Sequence, residues 1–468
     1  MQSSDHERPR DDPASPLHAA RDVAVRLRRG GHDAFVAGGA VRDHLLGRVP
    51  NDADVATSAR PDEVAALFPG SKLVGAAFGV VVVPVRGTSI EVATFRSEGP
   101  YLDGRHPSHV EFTTVEDDVR RRDFTINGML LDPETGEIHD YVGGRADLDA
   151  QVVRAIGDPR ARFEEDHLRV LRAVRFAAEL GFAIDPATSR AIRELAPRVR
   201  RVAPERIRDE LVRLFTSGRG RDGLLLLHET GLLAHVLPDV YALRGVEQSP
   251  EHHPEGDVFV HTSLLFEHLG RPSPTLAFAA LLHDVGKPST FVRGPDRIRF
   301  PLHARVGAEM ADKICRDLRF SNEAREQIVA LVANHMRFID VRRMKPATLK
   351  RFLRMERFDE HLALHRADCL SSHRIVDNWR FATDERERIG AEALRPAPLV
   401  NGNDLLRLGY EQGPTVGRTL RLLEELQLAG NVTTRGEALA IARRRLGGTK
   451  PGTGEGPTAA PADSPESG

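Results

Sequence analysis

The pattern of apolar and polar positions changes character about a third of the way along the chain. Between residues 17 and 145, short β-type runs at Ala34–Ala37, Val80–Val85, Ile90–Thr94 and Gly128–Leu131 alternate with helical stretches around Leu17–Arg29 and Val41–Gly47. Apolar and β-branched runs this short, separated by glycine, proline and charge, predict an α/β domain. From about Phe163 to Leu446 the apolar residues recur at three- and four-residue spacing, which predicts a mostly helical remainder. Residues 1–16 and 447–468 hold too few apolar side chains to offset the entropy of ordering and are expected to be disordered tails. No internal repeat is evident.

Composition narrows the class without deciding it. The 468 residues leave room for roughly two to four domains of about 100–200 residues. Acidic and basic residues nearly cancel, 68 against 66, which argues against a uniformly basic coat but not against a local patch. Within 151–220 fifteen arginines face ten acids, so a basic surface is expected there. All but six of the 66 basic residues are arginines. Genome-wide codon bias explains that better than chemistry does, so the count itself carries no weight. Cys315 and Cys369 are too few for a disulfide framework and lack metal-type spacing, which fits a reducing, cytoplasmic setting. The polar start has no apolar run behind it, and no stretch offers about 18 uncharged apolar residues, so neither a signal peptide nor a membrane span is expected.

Candidate chemistry begins at FVAGGAVRDHLLGRVPNDADVAT, which reads as strand, Gly38-Gly39 turn, short helix and second strand. Glycines between a strand and a helix let backbone N–H groups approach an anion, and the helix N-terminus adds a favourable dipole. Arg42 stands where it would clamp the same phosphates; an ordinary turn is the competing reading. Asp52 and Asp54, two apart on a strand, present their carboxylates to one face. Such like charges repel unless a cation neutralises them, and oxygen donors suit a hard divalent ion, typically Mg²⁺. Glu91 in SIEVATFR is a candidate third carboxylate, with a surface glutamate as the alternative. Arg121, Arg122 and Asp123 precede an apolar run, where arginines would neutralise a leaving pyrophosphate or form a salt-bridged strand edge.

Together, GGAVRDHLLGR, NDADVAT, RRDFTINGM, RFEEDHLRVLRAVRFAAELGF and PERIRDEL resemble, in order over roughly the first half of the chain, one family: the bacterial class II tRNA nucleotidyltransferases and poly(A) polymerases of the DNA polymerase β superfamily. The resemblance implies an α+β architecture. A polymerase-β-like nucleotidyltransferase head with a mixed sheet and helices (17–145) precedes an all-α neck (146–250), an HD domain (251–385) and C-terminal helices (386–446). It implies Asp52 and Asp54 as metal ligands, Gly39, Arg42 and Arg122 with neighbouring Gly38 on the nucleotide phosphates, and Asp166, Arg169, Arg172 and Arg175 along the incoming nucleotide.

A physical reading accompanies the last four. Positions three apart on a helix drift by about 60° per step, so these residues are expected to form one oblique polar stripe, with Leu168, Leu171, Val174 and Phe176 free to face the core. An ordinary charged helix face is the alternative. Cytosine and adenine each offer an amino donor beside a ring-nitrogen acceptor, whereas uracil and guanine offer a carbonyl beside an N–H. A carboxylate beside a guanidinium complements the first pair only, so Asp166 with Arg169 is expected to accept C and A and to reject U and G.

Further along, His261, the adjacent His283-Asp284 and Asp368 resemble the HD superfamily of metal-dependent phosphohydrolases, with His303 and His335 as ligands of a second metal. Imidazoles and carboxylates gathered from separate helices suit another divalent metal, whose identity the sequence leaves open. His252 and His253 are read as surface residues, and Gly409, Gly413 and Gly417 as packing positions. The expectation is therefore template-independent addition of CCA to the 3′ end of tRNA from CTP and ATP, with Mg²⁺, and with poly(A) addition as the near alternative. An HD phosphohydrolase with an RNA-binding head is the alternative from another class, and a non-enzymatic RNA-binding protein leaves both carboxylate clusters without a purpose.

Overall fold

A computed structural model describes residues 15–74, 79–98, 110–251, 253–295 and 297–447; most of both expected tails, and His252, lie outside them. The chain opens with α1 (Pro16–Arg29), begun by the Ser15 hydroxyl accepting from the His18 N–H and by Pro16 at the first helical position. Leu17, Ala20, Val23, Ala24 and Leu27 form its buried face. Then come β1 (Ala34–Ala37), α2 (Gly39–Leu45), β2 (Asp54–Thr57), α3 (Pro61–Leu67), β3 (Lys72–Leu73), β4 (Val80–Val85), β5 (Thr88–Thr94), β6 (Arg96–Glu98), β7 (Val110–Phe112), α4 (Val115–Arg120), β8 (Leu130–Leu131), β9 (Ile138–His139) and α5 (Gly144–Asp149). Seven strands form one mixed sheet in the order β3-β4-β5-β2-β1-β8-β9, in which only β2 and β5 run parallel.

The sheet is covered on both faces, which is why AFVA reads as an unbroken apolar run. Ala34 and Val36 join the main core with α1, while Phe35 and Ala37 join a smaller one with Phe95, Val119 and Leu130. The expected strand at Gly128–Leu131 is shorter than its sequence suggested. A 3₁₀ turn over Thr125–Asn127 lies just before it and ends on Gly128, and only Leu130–Leu131 join the sheet.

Beyond the head, β10 (Val152–Val153) pairs in parallel with β11 (Ala183–Ile184), between which lie α6 (Pro159–Glu165) and α7 (Arg169–Leu180). After them come α8 (Pro186–Leu195) and α9 (Pro204–Thr216). Asp158 and Asp185 cap α6 and α8 by accepting from Ala161 N and Thr188 N. Gly181, at φ 74°, ends α7 in the left-handed conformation that favours glycine. In the HD part the helix Pro274–Leu282 is buried all round, with Val258–Leu269, His303–Asp317 and Asn322–Asn334 packed in the same core.

Packing divides the chain into two compact units, one reaching His335 and taking in Ala363–Ile375, the other made of Met336–Leu362 and the residues from Val376 onward. The second unit has two cores of its own, around Phe338, Phe352 and Phe358 and around Leu405, Tyr410 and Leu423. A boundary at 385 would cut the helical segment Asp377–Leu394. The three glycines read as packing positions are not alike. Gly409, at φ 99°, has Leu446 beside its α-carbon, but Gly413 and Gly417 face open space, so the packing reading fails for those two.

Candidate active site

The first site is built where β1 ends. Gly38 turns the chain at φ 76°, a conformation nearly reserved for glycine, and a β-carbon there would stand 3.5 Å from Nη1 of Arg122 and 3.8 Å from Oδ2 of Asp54. Arg42, buried on α2, donates from Nη1 to Asn127 Oδ1 at 2.7 Å and from Nε to Asp43 at 2.9 Å. Across the sheet, Asp54 opens β2 opposite Ala37 of β1 on one side and Glu91 of β5 on the other. The strand starts at Asp54, so Asp52 lies in the preceding loop rather than on the strand as expected.

Asp52, Asp54 and Glu91 all line one cavity of about 850 Å³. The Asp54 side chain is open to that cavity, yet enclosure by surrounding protein strips much of its water. Burial first, then the charges of Glu91 and Asp52, raise its carboxyl to about 6, against the smaller opposing pull of Arg122. Asp54, with the carboxylates of Glu91 and Asp52 beside it, belongs to an oxygen donor set rich in negative charge. That set fits a hard divalent cation.

The same cavity is also lined by arginines. Asp118 is almost fully buried, and although burial favours its neutral form, Arg122 and Arg121 outweigh that and hold it below the usual carboxylate range. It accepts from Arg121 Nη2 at 2.6 Å and from Arg122 Nη2 at 3.1 Å, fixing both arginines, while Nε of Arg122 is buried without a partner. Asp123 is held at about 2: burial opposes ionisation, but Arg172 and Asn127 prevail. Arg172 donates to it at 2.8 and 2.6 Å.

Asp166, Arg169, Arg172 and Arg175 all reach the cavity, but not as one helical stripe. Asp166 has extended backbone, φ −139° and ψ 107°, and stands between α6 and α7, which begins only at Arg169. Nor do Asp166 and Arg169 pair. Arg169 donates to Glu165 and to the carbonyls of Arg162 and Arg121. Arg206 of α9 takes Asp166 instead, Nη1 to Oδ1 at 3.2 Å and Nη2 to Oδ2 at 2.8 Å. Arg175 is bound to Glu210 and Glu179. Phe176 is buried as expected but also lines the cavity, where the guanidiniums of Arg175, Arg42 and Arg172 stand 4.0, 5.0 and 5.3 Å from its ring centre.

The second site lies in the HD part and falls into two groups, His261, His283 and Asp368, and Asp284, His303 and His335, the ligand atoms of each lying within 4.8 Å of one another. Nδ1 of His283, His303 and His335 each sits 2.7–2.9 Å from a backbone carbonyl and therefore carries the proton. Their Nε2 lone pairs are turned inward: those of His303 and His335 face each other at 3.3 Å, and that of His283 faces Asp284 Oδ2 at 3.1 Å. Lone pairs aimed at one another and at a carboxylate repel unless a cation lies among them. Burial and the nearby His283 hold His335 at about 4, and burial also lowers His303, so both stay neutral. His261 differs. Burial would lower it, but hydrogen bonds with Asp368 (3.1 Å) and Glu255 (2.7 Å) lift it to about 9. His253, expected at the surface, is half-buried with Nδ1 2.9 Å from Glu255.

Three family models match the sequence: the Poly A polymerase head domain over residues 34–154, the probable RNA and SrmB-binding site of polymerase A over 181–243, and the HD domain over 257–372. Over residues 34–154 the chain is thus similar to the Poly A polymerase head domain. In sequence it is 44% identical over 222 residues to the CCA-adding enzyme of Geobacillus stearothermophilus and 42% identical over 215 residues to that of Bacillus subtilis. These matches cover 47% and 46% of this chain, and 55% and 54% of the relatives, so it spans about half the length of the curated relatives it matches. In structure it resembles the Bacillus stearothermophilus CCA-adding enzyme solved with CTP, at a TM-score of 0.72 and 27% identity over 92% of this chain and 99% of that one. A Thermotoga maritima CCA-adding enzyme solved with tRNA shares the fold at a TM-score of 0.58 and 20% identity, covering 94% and 97%.

Within the head domain and the helices after it, sequence reasoning missed the partners rather than the principals. Asn127, Asp118, Glu210 and Arg206 hold arginines and carboxylates from 3 to 85 residues away. The one available signal was that the last two lie in PERIRDEL, noted as a motif but given no role. Glu255 stood beside His253 without any pattern to mark it.

Proposed function

We propose that the protein adds CCA to the 3′ end of tRNA, drawing on CTP and ATP and releasing pyrophosphate. One observation carries the reading: Asp52, Asp54 and Glu91 line one cavity together with Gly38, Gly39, Arg42, Arg122 and Asp166. The names of the relatives, CCA-adding enzymes, and the CTP bound to one of them point the same way. Asp52, Asp54 and Glu91 would hold Mg²⁺, which when bound lowers the pKa of the attacking 3′-hydroxyl and offsets charge on the transferred phosphoryl group. Backbone at Gly38 and Gly39 and the guanidiniums of Arg42 and Arg122 bind the triphosphate, with Arg172 and Arg175 further along the nucleotide. The RNA hydroxyl forms a bond to the α-phosphorus as the bond to pyrophosphate breaks, so no covalent enzyme intermediate is required. Asp166 accepts the exocyclic amino group that C and A share. The arginine-rich helices of 151–220 hold RNA through phosphates, so affinity falls with salt.

The test uses tRNA lacking its end, with Mg²⁺ and CTP, ATP or both. Extension by two residues with CTP and by three with both supports the reading; long A tails indicate poly(A) addition, and no extension overturns it. A second, independent activity is favoured by the inward-facing Nε2 atoms of the HD part. There His261, His283, Asp284 and Asp368, with His303 and His335 for a second ion, hold a divalent transition metal for phosphomonoester or phosphodiester hydrolysis. Metal-dependent release of phosphate from a chromogenic ester, lost on Asp284→Asn, tests it.

A further inference from the structure

The carboxylate of Asp166 is the group the proposed function relies on to tell C and A from U and G, yet nothing in its own backbone fixes it. It follows α6 in extended conformation and precedes the first turn of α7, so neither helix sets its side chain. Two neighbours do. Leu168 N–H donates to Oδ1 at 3.0 Å, and Arg206 grips both oxygens as a fork, at 3.2 Å to Oδ1 and 2.8 Å to Oδ2. Arg206 lies in the first turn of α9 just after Pro204, which presets the helix there, and both side chains line the cavity.

The accounting is unequal between the two oxygens. Oδ1 receives two donors and Oδ2 only one, and a carboxylate oxygen accepts about two. Oδ2 is therefore the atom with a lone pair left for a nucleobase amino group. Arg169, the guanidinium that spacing alone would pair with Asp166, is engaged with Glu165 and two backbone carbonyls.

We propose that Arg206 is a specificity-positioning residue: its guanidinium fork fixes the Asp166 carboxylate so that Oδ2 faces the Watson–Crick edge of the incoming base as an acceptor only. The inference rests on the proposed nucleotidyl transfer. Without the fork the carboxyl rotates about its last bond and meets the base in several orientations, so the advantage of an amino group over a carbonyl shrinks. Arg206 itself need not touch substrate.

The test measures kcat/KM for CTP and UTP, and for ATP and GTP on the appropriate tRNA ends, in wild type, Arg206→Gln, Arg206→Lys, Asp166→Ala and the Asp166→Ala/Arg206→Gln double variant. Arg206→Gln should lower the CTP:UTP ratio by about tenfold, with Arg206→Lys in between because a single ammonium cannot fork. Binding of tRNA should change by less than about twofold, because among the arginines of 151–220 this guanidinium is committed to Asp166. In the Asp166→Ala background, Arg206→Gln should change the ratio no further, because the group it positions is gone. A merely structural role would lower all four nucleotides together, or act equally in both backgrounds, and either result overturns the proposal. If Arg206→Gln fails to fold, Arg206→Lys alone decides it by keeping or losing discrimination. Wild type failing to add any nucleotide would instead sink the proposed function, and this inference with it.

Discussion

In the head, three carboxylates open into a cavity of about 850 Å³ and share its lining with arginines. In the HD part, His261, His283, Asp284 and His335 are each buried to within a few percent and look at one another, with backbone carbonyls behind His283, His335 and the neighbouring His303. The two clusters balance their charges by different routes. The head has too many anions, and Asp54 answers by holding its proton up to about 6. In the HD cluster Lys287 reaches Asp284 at 2.7 Å and His261 is lifted to about 9, while His335, buried beside His283, refuses a proton down to about 4. Oxygen donors open to solvent suit a hard ion that keeps its water and shares its coordination with substrate phosphates. Buried nitrogen and oxygen donors suit a borderline ion held by the protein itself.

The sharpest way to break this contrast is to remove one ligand from each cluster. Asp54→Ala should lower nucleotide addition by about 10³-fold or more, roughly 4 kcal/mol of transition-state stabilisation. It should leave tRNA binding and the HD metal content unchanged. Asp284→Asn should do the reverse, emptying the HD site of transition metal by elemental analysis while addition stays within about twofold of wild type. If either substitution silences both activities, the two clusters are one device.

Arg172→Ala asks what holds the head cavity before any ion binds. It strips buried Asp123 of its cation, and because Arg172 is about one-third exposed the expected cost is only about 2 kcal/mol, read as a lower melting temperature. The same variant reports on acid stability. Asp123 is held near 2 in the folded protein, below its ordinary value of 3.8, so its contribution is present above about pH 4 and is lost as pH falls towards 2. The variant should lose stability less steeply over that range.

The smallest expected effect is on pH dependence. Asp54 binds a proton below about 6 and is then a poor ligand, so addition at limiting Mg²⁺ should fall by about tenfold per pH unit below 6. His335 stays neutral at pH 5, so Mn²⁺ titrated at that pH should bind the HD part and not the head. Equal loss at both sites would remove the distinction.

Much of the head was legible because its signals are local. Gly38-Gly39 between strand and helix, and Asp52-x-Asp54 beside apolar Val55, each report a geometry set within a few residues. The change to helix near the neck followed from periodicity, whereas the mixed sheet was implied by the family resemblance and not by spacing. Asp166 was misread for the same reason: spacing of three placed it with Arg169, Arg172 and Arg175 as if α7 began early, and nothing local reports that its backbone is extended. Glu91 was an even choice from sequence; what places it opposite Asp54 is the parallel pairing of β2 with β5, a crossover that skips two strands.

The sequence by itself determined the kinds of chemistry present, the order in which they occur and the elements that carry them, because residue type and hydrophobic period are properties of short stretches. Only the tertiary structure decided partnership. That Arg206 holds Asp166, that Asn127 holds Arg42 from 85 positions away, and that His303 and His335 turn their lone pairs on each other are outcomes of packing. A side chain's hydrogen-bond partner is chosen by which helices and strands the core brings within about 3 Å, a distance that no spacing along the chain encodes.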